Sequence, residues 1–66
     1  MDTYVIRCEF GNQDELWVEH FRRAESEEQA VQAVKKECDH LYMFVREYEN
    51  RRFFIMETMI ARREVS

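Results

Sequence analysis

A chain of 66 residues has room for one hydrophobic core, because such cores are usually built by roughly 50 to 200 residues, so a second domain and a large multi-layer enzyme are excluded. With 45% hydrophobic residues, one Gly and no Pro, it lacks the composition of a disordered, collagen-like or linker segment. Fourteen acids against ten bases leave a net charge of −4, which argues against bulk attraction to phosphate backbones or anionic lipid.

Thr3 to Phe10 alternates, with Tyr4, Ile6, Cys8 and Phe10 on one face and Thr3, Val5, Arg7 and Glu9 on the other, the pattern of a half-buried strand. Gly11-Asn12-Gln13-Asp14 supplies the strongest turn chemistry, since Gly and Asn tolerate positive φ and Asp bonds its own backbone. A second strand is expected within Glu15 to Arg23, antiparallel to the first. Its register is ambiguous: Leu16, Val18 and His20 make one face, Trp17 and Phe21 the other, and a bulge or a two-sided role would reconcile them.

Ser26-Glu27-Glu28-Gln29 has the form of a capping box, in which the Ser26 hydroxyl accepts from the Gln29 amide and the Gln29 side chain returns to the Ser26 amide. Glu27 and Glu28 also suit the positive end of a helix dipole. Ala30, Val31, Ala33, Val34, Cys38 and Leu41 then form an apolar stripe, with Gln32, Lys35, Lys36, Glu37 and Asp39 on the wet side, predicting a helix from about Glu27 to His40. Tyr42 to Tyr48 and Phe53 to Ala61 are dense in aromatic and β-favouring residues around Glu49-Asn50-Arg51-Arg52, which predicts a hairpin. The last segment also suits a helix, because Met, Glu, Ala and Arg are good helix formers and Phe53, Met56 and Ile60 share a helical stripe.

The order strand, strand, helix, strand, strand implies a single α+β domain, in which an antiparallel sheet of about four strands carries one helix on one face. The opposite face has no cover and must meet water or another molecule. Area scaling gives roughly 4,500 Å² exposed when folded against roughly 11,900 Å² unfolded, so about 60% of the surface is buried and the fold is marginal or helped by a partner. Apolar runs such as Leu41 to Val45 and Phe53 to Met56 fall far short of the ~20 residues that cross a bilayer. Met1-Asp2-Thr3-Tyr4 does not read as the start of a signal peptide. The expected address is the cytoplasm.

Cys8 and Cys38 both face inward, and two buried free thiols are expected of a cytosolic chain. With His20 and His40 they make a Cys2His2 inventory, but only Cys38-Asp39-His40 is local, whereas zinc ligands usually come in tight pairs. Ser26 serves as a cap and a single Gly makes no phosphate loop. No cofactor, metal or catalytic site is expected. Eight of the ten bases are Arg, six of them in the pairs Arg22-Arg23, Arg51-Arg52 and Arg62-Arg63. Such cations grip carboxylates, phosphates and aromatic faces, or merely solubilise strand ends. Beside Tyr42, Phe44, Tyr48, Phe53 and Phe54 they could hold a single nucleic-acid strand. The acidic balance and the missing ribonucleoprotein motifs favour protein binding, for which an uncovered sheet face with Trp, Tyr and Arg carries the usual hot-spot residues.

Ala24-Glu25-Ser26, Gln29-Ala30, Ala33 and Lys36-Glu37-Cys38, with the opening strand Tyr4-Val5-Ile6-Arg7 and the aromatic segment after the helix, resemble a small phage-encoded anti-CRISPR family that inhibits the type I-F surveillance complex. The resemblance implies a one-helix, antiparallel-sheet protein that docks on the backbone subunits of a CRISPR RNA-guided complex in the bacterial cytoplasm and blocks hybridisation of target DNA. Members of that family carry bases early in the helix, where this chain has Val31 and Gln32, its helix bases being Lys35 and Lys36. A negatively charged compact surface would compete for the basic channels of such a complex while Arg pairs find acidic patches. The contact residues expected on this basis are Arg51 and Arg52 at a hairpin tip, Lys35 and Lys36 on the wet helix face, Arg22, Arg23 and Tyr48. A nucleic-acid-binding regulatory module and a homodimerising structural domain are the alternatives.

Overall fold

The computed structural model describes residues 1–11 and 16–65. β1 (Asp2–Glu9) pairs antiparallel with β2 (Trp17–Ala24) over its whole length, from Asp2 opposite Ala24 to Glu9 opposite Trp17. No bulge is needed: Val18 and His20 share the face of Tyr4, Ile6 and Cys8, while Trp17, Glu19 and Phe21 share the face of Val5, Arg7 and Glu9. Asn12, Gln13 and Asp14 of the expected turn lie outside the described residues. Gly11 before them has φ +67, a left-handed conformation that favours Gly.

Helix α1 (Glu27–Tyr42) is two residues longer than its stripe predicts. Ser26 Oγ accepts from the Gln29 amide at 3.1 Å, as the capping box requires. The Gln29 side chain reaches one residue further back than expected, accepting from the Glu25 amide at 2.9 Å. Ala30, Val31, Val34 and Cys38 are buried. The stripe then passes to Tyr42, which packs on the core, and leaves Leu41 exposed.

The predicted hairpin over Tyr42 to Tyr48 is not formed. Helix α1 takes Tyr42, and Arg46–Asn50 coil into one short 3-10 helix. Its only buried residue is Tyr48, whose ring closes the upper core against Phe10 and Tyr42 at centroid distances of 5.3 and 6.1 Å. An aromatic trio wedged at the helix end satisfies these rings better than a strand, which would hold Tyr42, Phe44, Arg46 and Tyr48 all on one side.

The hairpin lies later. β3 (Arg52–Met56) and β4 (Arg62–Val65) pair antiparallel, so the segment after Phe53 is strand rather than helix. The turn between them is closed by the Thr58 hydroxyl, which accepts from the Ala61 amide at 2.8 Å. β3 pairs with β1 on the side away from β2, giving the sheet order β2-β1-β3-β4. The fold is the expected α+β arrangement of four antiparallel strands and one helix, with α1 crossing over β1 to join the mutually parallel β2 and β3. Helix α1 lies over β1 and β2. Arg63 of β4 meets Glu27 in the first helical turn at 2.7 Å, and this guanidinium holds the Glu27 carboxyl below its usual range.

The chain exposes 4942 Å², somewhat above the ~4,500 Å² of a smooth globule this size. Part of the excess is apolar: Leu41, Met43 and Phe44 at one end and Met59 and Ile60 at the other stand in solvent. Among the described residues no helix is long and apolar enough to cross a membrane.

Candidate binding groove at the helix end

The uncovered sheet face is not a bare platform. Glu9, only 1% exposed, is gripped by Arg62 and lies 3.5 Å from Arg52. Arg62 spreads its guanidinium 4.2 Å above the Phe54 ring. Arg7 lies 4.1 Å above Trp17 and holds Glu19 Oε2 at 2.7 Å. These long side chains lie flat, their stems covering apolar surface and their heads paired with carboxylates. Phe53 and Tyr48 are buried, Tyr42 is half-buried and Phe54 lies under Arg62. The aromatics expected to form one stacking surface are therefore dispersed, and only Phe44 stands free, 91% exposed.

Phe44 belongs to an open groove of about 1030 Å³ where the end of α1 meets the segment up to Arg51. Four of the residues expected as contacts converge on it: Arg22, Lys36, Tyr48 and Arg51. Their availability differs. Arg22 is ion-paired with Glu37. Arg51 lies 3.5 Å from Asp39, with its guanidinium 4.7 Å above the Tyr48 ring. Tyr48 lines the groove from within: its ring is buried, and its hydroxyl donates to Asp39. Burial and that bond push its phenol well above the ordinary range. It shapes the groove floor and offers a partner no free ring face.

Lys35 leans over the Phe53 ring at 5.6 Å and, with Arg51 and Arg52, lines a smaller cleft between α1 and β4. Arg51 and Arg52 do not sit at a hairpin tip; Arg51 joins the 3-10 helix to β3, and Arg52 is the first residue of β3. Arg23 is exposed on the sheet face opposite the helix. Met43, Phe44 and Arg46, which the groove also contains, escaped sequence reasoning because they were assigned to a strand. Among the described residues Lys36 and Arg46 enter no ion pair, so they are the cations the groove can offer.

Below the groove floor the two thiols and one imidazole of the Cys2His2 inventory meet. Cys8 and Cys38 are free and fully buried, and the neighbouring Cys38 thiol together with burial pushes the Cys8 thiol up. His20 Nε2 is 3.5 Å from Cys38 Sγ, and burial lowers its pKa from the ordinary 6.5. Both thiols are sealed from water, whereas reactive thiols need exposure as well as a lowered pKa. Among the described residues no cluster of three or more His, Cys, Asp or Glu could hold a metal ion.

No protein-family model, curated protein or solved structure matches this chain.

Proposed function

We propose that this chain is a non-catalytic, stoichiometric binding protein whose helix-end groove takes an acidic segment of a protein partner. The observation that carries it is the pair Met43 and Phe44, exposed side by side on the groove and flanked by Lys36 and Arg46. Large apolar side chains held in water by a small domain are stabilised by a partner's surface. Covering a Phe or Met contributes about 1.5–3 kcal/mol, and nearby unpaired cations select acidic neighbours. The dispersal of the other aromatics and the pairing of Arg7 and Arg62 with carboxylates leave little for a nucleic-acid strand to stack on.

In its specific form the proposal is an anti-CRISPR-like inhibitor acting in the bacterial cytoplasm. It docks on protein subunits of an RNA-guided surveillance complex and prevents target DNA from binding. The test is target-DNA binding by a purified type I-F complex, with the protein added in excess. The wild type abolishes the shifted band, Phe44→Asp weakens inhibition at least ~30-fold, as loss of a hot spot worth about 2 kcal/mol requires, and Lys36→Glu with Arg46→Glu weakens it further. DNA binding undisturbed by saturating wild type refutes the inhibitor role. Full inhibition by Phe44→Asp refutes the groove as the docking site. Reversing Arg51 and Arg52 is a poorer test, since both are tied to acids within the fold.

A further inference from the structure

The sheet ends on one side in β2, whose eight residues have no neighbouring strand beyond them among the described residues. The Leu16 carbonyl accepts from the Phe10 amide at 2.9 Å, which fixes the parity of the β1–β2 ladder. Even-numbered residues of β2 turn their backbone groups toward β1, and Trp17, Glu19, Phe21 and Arg23 turn theirs to the open edge. The other edge, β4, has four residues, three of them Arg62, Arg63 and Glu64. That is the short, charged form that keeps an edge unpaired. β2 is long, and Phe21 at its middle is 71% exposed.

On the Phe21 face the charges of β2 are antisymmetric, with Glu19 two residues before Phe21 and Arg23 two after. We propose that the free edge of β2 pairs antiparallel with β2 of a second copy of this chain, Phe21 lying on the two-fold axis, to form one continuous eight-stranded sheet. In this register Phe21 meets Phe21, each Glu19 faces Arg23 of the other copy, and the outward backbone groups of these residues meet one another. Isologous pairing needs such self-complementarity.

Neighbouring registers fail on the same residues. Centring on Glu19 or Arg23 sets each against its own charge, which destabilises a cross-strand pair. Centring on Arg22 puts Glu19 against Glu25, and centring on His20 puts the Phe21 ring against Glu19. Arg7 holds only Oε2 of Glu19, so Oε1 can accept from Arg23 of the second copy. On the helix side His20 falls opposite Arg22, whose charge is already paired with Glu37. Arg22 also lines the helix-end groove, but the pairing rests on the β2 edge and stands whether or not that groove binds as proposed.

Sedimentation velocity on the full chain tests it. The wild type runs at twice the monomer mass. Arg23→Glu, which alters an exposed side chain free of ion pairs among the described residues, sets two acids opposite each other twice and weakens the dimer at least ~10-fold. Glu19→Arg does the same with two bases. An equimolar mixture of the two variants restores the dimer, because each supplies what the other lacks. Phe21→Glu, which leaves the Arg7 pair intact, stands in should Glu19→Arg fail to give a native circular dichroism spectrum; it too is monomeric. A wild type that stays monomeric at millimolar concentration overturns the proposal. So does an Arg23→Glu variant that dimerises unchanged, or a mixture of folded variants that does not recombine.

Discussion

The two faces of this sheet are closed by different physics. Under α1, the inward side chains Ile6, Cys8, Ala30, Val34 and Cys38 are wholly excluded from water, and the gain there follows buried apolar area. On the other face no element of the described residues lies above the strands, yet Phe54 is as buried as Phe53, its neighbour on the helix side. Arg62 covers it, and Glu9 fixes Arg62. This chain spends its remaining residues on strands, and long cations laid flat on aromatic rings take the place of a second helix. The lesson is that a sheet face without a second layer is not thereby a free face. What remains available is displaced to the periphery: Phe44 at the helix end and Phe21 at the edge.

Three measurements sharpen this contrast. The largest effect is expected from Ile6→Ala under the helix. Removing a fully buried aliphatic chain costs about 2–5 kcal/mol, which approaches the whole stability of a domain this small at about 0.05–0.15 kcal/mol per residue. Urea unfolding should show the variant largely unfolded at 37 °C. Glu9→Ala breaks the opposite face by leaving Arg52 and Arg62 without their shared carboxylate. Those cations are about a third exposed and can recover water, so the loss is about 2 kcal/mol, below the 3–5 kcal/mol of a charge stranded in a dry core. A loss under about 0.5 kcal/mol, the level of an ordinary surface change, would show that the network adds nothing to closure.

The smallest effect concerns His20. Burial, and secondarily Arg22, depress its folded pKa below the unfolded 6.5, so the unfolded chain binds the proton more readily. The contribution from keeping this imidazole neutral is complete above pH 6.5 and is lost as pH falls toward the folded value. The urea midpoint of the wild type should therefore drop from pH 7.5 to 5.5 more than that of His20→Gln. Equal drops would place the acid sensitivity elsewhere.

Much of this architecture was legible locally. Alternation in Thr3 to Phe10 assigns the helix face of β1 correctly, and the Ser26 cap marks the start of α1 to the residue. The miss at Tyr42 to Tyr48 has a readable cause: Val34, Cys38, Tyr42 and Val45 continue the helical spacing of four and three, whereas the strand pattern needed Arg46 on the side of the tyrosines. Aromatic density outweighed periodicity there, and with it went Met43, Phe44 and Arg46 as groove residues. The role of Glu9 was not legible at all. Its position on the outer face of β1 follows from alternation, but its burial depends on Arg52 and Arg62, brought to it only by the pairing of β3 and β4. A carboxylate that reads locally as solvated becomes the keystone of a face through contacts 43 and 53 positions away.

Cys8 and Cys38, sealed between strand and helix, give the protein a native clock. No other sulfhydryl exists in the chain, so a thiol-reactive dye can mark a molecule only while α1 is lifted from the sheet. The pace of labelling in plain buffer then counts how often the helix lets go, with no denaturant and no added probe site.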